Sequence, residues 1–184
     1  MTNILTAPNP VLSQKARPVK KIDKSILQFI EEMKQTLLTA KDPEGVGLAA
    51  PQVGKPLQIF IMKPTPKSPI QVLINPVINS FSKELTPLKR PKHSKAPHKL
   101  EGCLSLPSIW GNVLRHPQLT LSYLDEKGNR HEKKFTGFMA TIIQHEMDHL
   151  QGVLFPKRVL EQKGKLYKSH KDEKGQEVFE EIEI

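Results

Sequence analysis

The run His145-Glu146-Met147-Asp148-His149 constrains this chain more than any other feature, because of where it lies. It is preceded by Gly137-Phe138-Met139-Ala140-Thr141-Ile142-Ile143-Gln144, a strongly apolar stretch. Thr136 stands as an N-cap before it, and Gly152 stands where a C-terminal glycine belongs. The spacing predicts a helix between them. Histidines four residues apart share one helical face, one turn above each other. Two imidazoles so placed can bind one metal ion, and Glu146, beside the first, can reach a coordinated water as general base. The apolar run at Phe138, Met139, Ile142 and Ile143 predicts that this helix is buried.

The rest of the chain supplies the wrapping. Asp23 caps a predicted helix from Lys24, whose apolar positions are Ile26, Leu27, Ile30, Met33, Leu37 and Leu38, with Pro43 as the stop. Leu57 to Lys63, Gln71 to Ile74, Leu119 to Leu124 and Arg130 to Phe135 read as strands, the last two joined by the turn Glu126-Lys127-Gly128-Asn129. Leu166 to His170 and Glu177 to Ile184 read as a closing hairpin. Ser80 to Lys99, rich in Lys, Pro, Ser and His without periodicity, reads as an exposed basic insertion. The expected fold is α+β: antiparallel strands around a central helix carrying HEMDH, with the N-terminal helix packed outside. At 184 residues without internal repeats, residues 1–184 are expected to form one catalytic domain.

Two histidines do not complete a catalytic metal site, which usually takes three protein ligands and keeps one position for water. The protease pattern HExxHxxGxxH fails here, because Phe155 stands where the third histidine belongs. Glu161 is available for a thermolysin-like site, but its lysine-rich stretch shows no convincing helix. The remaining candidate is Cys103, the only cysteine, in Leu100-Glu101-Gly102-Cys103-Leu104-Ser105-Leu106-Pro107. A lone cysteine is more often an inert small hydrophobe. Gly45-Val46-Gly47-Leu48-Ala49-Ala50-Pro51-Gln52 is not a phosphate loop, since the Lys-Ser/Thr ending is missing.

Together these three segments resemble the peptide deformylase family, which is marked by GxGLAAxQ, EGCLS and QHExDH in that order. This chain has GVGLAAPQ at 45–52, EGCLS at 101–105 and QHEMDH at 144–149. The resemblance extends over residues 1 to about 160, including Ile74-Asn75-Pro76 and Gly152 to Phe155, and departs within 80–99 and after Lys163. It implies a metallo-hydrolase that removes the formyl group from the initiator methionine of newly made proteins. It makes Cys103, His145 and His149 the metal ligands and Glu146 the general base and acid. Gln52 and the backbone N–H of Leu104 become oxyanion donors. It implies one divalent ion, Fe(II) in cells, with Zn(II) or Ni(II) in purified protein; a thiolate ligand suits such ions.

On the same reading, the nascent chain pairs beside Gly45, Val46 and Gly47 as an added strand, near Glu101 and Gly102. Phe138, Thr141 and Ile142 share the face of His145 and line a slot for the methionine side chain. Arg115 is expected to pair with Glu101 and hold the cysteine segment.

Composition bounds the setting. One cysteine excludes a disulfide framework, and no apolar run is long enough for a membrane span. The N-terminus does not read as a signal peptide, so a cytoplasmic protein is expected. The formal charge of +9 is concentrated in Lys83 to Lys99 and Lys157 to Lys171, before an acidic tail with Glu177, Glu180, Glu181 and Glu183. A solvated surface explains this, as does transient attraction to an anionic partner such as the ribosome. Nothing indicates sequence-specific nucleic-acid binding. A metalloendopeptidase lacks its third histidine here, and a closed structural metal site would need a fourth clear ligand.

Overall fold

The computed structural model describes residues 2–40, 45–89 and 99–183. Following the chain, α1 (Lys24–Thr39) leads to β1 (Gly47–Ala49), β2 (Ile59–Met62), β3 (Gln71–Phe81), β4 (Thr86–Pro87) and β5 (Glu101–Cys103). Then come β6 (Leu106–Gly111), β7 (Leu114–Arg115), β8 (Gln118–Leu124), β9 (Arg130–Thr136), α2 (Gly137–Leu150), α3 (Phe155–Glu161), β10 (Leu166–Lys171) and β11 (Glu177–Ile182). All the strand pairs among these are antiparallel.

Helix α1 starts at the expected residue. The Asp23 carboxylate accepts the N–H groups of Ser25 and Ile26 at 3.0 and 3.1 Å, relieving two of the donors a helix start leaves unpaired. Its buried face is Phe29, Ile30, Met33, Thr36 and Leu37. Leu27 and Leu38, expected on that face, are exposed because they fall more than a quarter turn from its centre. The helix ends at Thr39, and Pro43 lies outside the described residues.

The first sheet has the order β1-β2-β3-β8-β9. Alternation along β2 explains why all four of its residues are buried. Ile59 and Ile61 join Phe29, Ile30, Met33 and Leu37 of α1, whereas Phe60 and Met62 join Ala140, Ile142 and Ile143 of α2. The sheet therefore lies between the two helices, with α1 on its outer face. The second sheet, β11-β10-β6-β5, packs with α3 around Cys103, Val113, Phe155, Val159 and Leu166. Helix α2 is thus held between the first sheet and the strand that carries Cys103.

Two sequence expectations need correction. The described part of the stretch 80–99 is largely exposed as expected, but it is not wholly irregular and one of its residues is buried. Strand β3 runs on to Phe81, Thr86 and Pro87 pair with Arg115 and Leu114, and Leu88 is buried; residues 90–98 lie outside the described residues. The stretch around Glu161 does contain a helix. Phe155 and Val159, four apart, bury one side of α3, and its lysine stays on the other. At Thr136 the cap position is occupied as expected, although its side chain makes no capping hydrogen bond.

Candidate metal centre

Helix α2 presents His145 and His149 one turn apart, with ring centroids 4.9 Å from each other and planes 73° apart. Strand β5 brings Cys103 against them, Sγ lying 3.2 Å from His149 Nε2. The sulfur and one nitrogen of each ring all lie within 4.8 Å of one another. A tetrahedral ion with N and S ligands holds those atoms roughly 3.5 Å apart, so the cluster needs little adjustment to close on one. Buried polar atoms are almost always paired. Among the described residues, two buried side-chain atoms are not: Glu146 Oε2 and His149 Nδ1. A soft donor, two imidazoles and an unpaired carboxylate oxygen fit a divalent ion with a water beside it.

The ring of His145 is fixed from behind. Its Nδ1 lies 2.6 Å from Glu101 Oε1, leaving Nε2 to face an ion. Arg115 grips the same carboxylate with two prongs, Nη2 to Oε1 at 2.6 Å and Nε to Oε2 at 3.1 Å. Its other nitrogen, Nη1, donates to Asp148 Oδ2 at 2.7 Å, and Arg158 Nη2 donates to Asp148 Oδ1 at 2.7 Å. The sequence indicated the Arg115–Glu101 pair but neither Asp148 nor Arg158, because their meeting depends on where α3 lies. Glu161, the alternative ligand, instead accepts a hydrogen bond from Arg158 at 2.9 Å and takes no part in the cluster.

Burial raises the Glu101 carboxyl, but Arg115 and His145 beside it overcome this and hold it well below the usual carboxylate range. Burial likewise opposes charge on His145, yet its hydrogen bonds to Cys103 and Glu101 keep it well above the ordinary imidazole value. His149 is pushed well below that value by burial, with His145 adding to the effect. Burial pushes the Glu146 carboxyl up to about 7.

Gln52 sits in a 3-10 turn after β1 and is 1% exposed. Its Oε1 accepts the Ala49 N–H at 2.8 Å, which turns Nε2 towards Ser105 Oγ at 3.1 Å and Cys103 Sγ at 3.6 Å. A cavity of about 60 Å³ opens beside it. Gly45, Val46 and Gly47 form one wall, and Glu101, Gly102 and Leu104 another. Phe138, Thr141, Ile142, His145 and Glu146 supply the α2 side. Gly47 is there because of proximity: a Cβ would run into Glu146 Oε1 and reach within 3.0 Å of Ile142. Gly102 lies flat on the Trp110 ring, where a Cβ would come within 2.7 Å. Trp110 and Leu88 line the cavity too, and sequence reasoning missed both. Trp110 carried a signal, as the only tryptophan, seven residues after Cys103. Leu88 carried none.

A helix-borne histidine pair with an adjoining glutamate, met by a thiol from a second sheet at the edge of a cavity, defines a metal-assisted hydrolase. Comparison with known proteins makes this specific. The family model for polypeptide deformylase matches residues 1–165. Peptide deformylase 2 of Prochlorococcus marinus is 41% identical over 162 residues, which cover 86% of this chain and 74% of that protein. The peptide deformylase of Nitrosococcus oceani is 41% identical over 154 residues, covering 83% of each. Among solved structures, the Synechococcus elongatus peptide deformylase in complex with actinonin superposes with a TM-score of 0.74 at 38% identity, covering 85% of this chain and 78% of that one. The Thermotoga maritima peptide deformylase gives 0.74 at 34% identity, covering 86% and 97%. The chain belongs to the polypeptide deformylase family, metal-dependent hydrolases that act on N-formyl-methionyl peptides.

Proposed function

We propose that this chain removes the formyl group from the initiator methionine of newly synthesised proteins in the cytoplasm, with Cys103, His145 and His149 holding one divalent ion. The observation that carries the proposal is the gathering of those three donors within 4.8 Å, beside a buried Glu146 oxygen that has no partner among the described residues. Such an ion supplies Lewis acidity and brings the pKa of water towards ~7. Fe(II) is the ion proposed for cells and Zn(II) or Ni(II) for purified protein, as the thiolate donor suits each of them.

Glu146 takes a proton from the water that attacks the formyl carbon, then returns it to the methionine nitrogen as the C–N bond breaks and formate leaves. Burial raises this carboxyl above its ordinary value, which suits a group that must both take and return a proton. Gln52 Nε2 and the Leu104 N–H donate to the charge that develops on the formyl oxygen. The Ala49 N–H fixes which end of Gln52 faces the site. Arg115 acts through Glu101 to orient the His145 ring. Strand β1 is an edge strand, so an extended peptide can add beside Gly45, Val46 and Gly47, with Glu101 and Gly102 facing it. The methionine side chain then fills the slot made by Phe138, Thr141 and Ile142.

The proposal treats residues 1–184 as one catalytic unit, because the C-terminal hairpin continues the sheet that carries Cys103. It includes transient ribosome contact through the basic surface and no sequence-specific nucleic acid. No helix among the described residues is long and apolar enough to cross a membrane.

The test is formate release from formyl-Met-Ala-Ser by anaerobically metallated protein, against acetate release from acetyl-Met-Ala-Ser. The added methyl must fit where two donors crowd the carbonyl, so acetyl peptides should react slower by a factor on the order of 10². Equal rates on the two would overturn the reading.

A further inference from the structure

Most walls of the cavity come from the three motif segments and the α2 face, but one comes from a segment that looks like loop. From Lys83 to Lys89, Leu88 alone is buried, at 3% exposure, while Leu85, on the same segment, is 47% exposed. The local sequence gives no reason for this, having no hydrophobic periodicity. The β4–β7 ladder does. Thr86 pairs with Arg115 and Pro87 with Leu114, so the chain is tied to the strand whose arginine holds Glu101. Leu88 is the next residue, and it enters the cavity shared with Val46, Gly102, Trp110, Phe138 and Ile142.

From this geometry we infer that Leu88 determines the size of the first side chain the enzyme accepts. The inference rests on the deformylase reading above. The cavity is about 60 Å³, and one water needs roughly 10–15 Å³, so it seats about four to six water-sized groups. That matches the four heavy atoms of a methionine side chain better than the seven of a phenylalanine. Leu88 offers only methyl groups, so it discriminates by volume and not by charge. Shortening it extends the slot, and enlarging it fills the slot.

The experiment measures kcat/KM of metallated wild type, Leu88→Ala and Leu88→Phe on formyl-Met-Ala-Ser, formyl-Phe-Ala-Ser and formyl-Ala-Ala-Ser. Leu88→Ala should move the Phe-to-Met ratio towards Phe by about tenfold or more, the scale of a few methylenes in a pocket. Leu88→Phe should move the Ala-to-Met ratio towards Ala. A residue that only packed the core would lower all three rates together and leave both ratios unchanged, and that result overturns the inference. If Leu88→Ala does not fold, Leu88→Val reads the same ratio in the same direction. Wild type inactive on formyl-Met-Ala-Ser would instead overturn the deformylase reading. An active wild type with unmoved ratios in the variants removes Leu88 alone.

Discussion

As the proposed general base and acid, Glu146 must exist both with and without its proton, and its surroundings set that balance. In the metal-free chain, burial pushes its carboxyl from 4.5 up to about 7. Between those values the folded chain holds a proton that the unfolded chain has released, so this group's stabilisation is complete below 4.5 and is lost as pH rises through 7. The difference is on the order of 3 kcal/mol. Metal-free wild type should therefore lose more melting temperature between pH 5 and pH 8 than metal-free Glu146→Gln; identical losses would show that Glu146 is not the titrating group. With metal present the same substitution separates binding from chemistry. Glu146→Gln should keep its ion while turnover falls by a factor on the order of 10² or more. Cys103→Ala, His145→Ala and His149→Ala should each lose ion and activity together, as two donors cannot hold an open catalytic metal. Full metal occupancy in Cys103→Ala, measured by elemental analysis, would refute the three-ligand set.

Between elements, the decisive distance is that from β1 to α2. Gly47 allows the strand to lie against Glu146 and Ile142 with no atom to spare. Gly47→Ala should displace the Glu146 carboxylate and cost on the order of 10² in kcat while leaving metal content intact; unchanged kcat would mean that the strand can shift without cost. This spacing also shows what a sequence can and cannot display. Helices α1 and α2 were legible because their apolar residues recur over three or more turns, and Asp23 marks the first start. The candidate ligands were legible because two lie on one helix and the third sits in a compact segment. Strands β1, β4 and β5 have only two or three residues each, too short for alternation to register. Helix α3 hid among lysines because only Phe155 and Val159 need burial. Leu88 and the Arg115–Asp148–Arg158 chain depend on which short strand or helix lies beside which, and spacing along one segment does not carry that.

For the whole molecule, the question is what keeps two sheets and one helix in register around a single site. The N-terminal arm does part of this by touching two of the motif segments and the last residue of α2 through its backbone. The Leu5 N–H donates to the Gln52 carbonyl at 2.7 Å, the Ala7 N–H to the Ser105 carbonyl at 3.0 Å, and the Ala16 N–H to the Leu150 carbonyl at 2.8 Å. The first two bonds connect the turn holding the Gln52 amide to the segment holding Cys103, and those groups already approach within 3.6 Å. Removing residues 2–7 deletes both bonds and spares the third. Two backbone hydrogen bonds contribute about 1–3 kcal/mol together, so the shortened chain should fold with a lower melting temperature. Catalysis should suffer more than metal binding does. His145 and His149 stay on an intact helix, whereas Gln52 loses its tie to the cysteine segment, and a shift of about 1 Å at a reacting centre can cost 10²-fold. The expected outcome is kcat/KM for formyl-Met-Ala-Ser lowered by roughly tenfold or more at saturating metal and at a temperature where the shortened chain is fully folded. Should kcat/KM stay at the wild-type value while only the melting temperature falls, the arm is a stabiliser and the register of the site is set by the sheets alone.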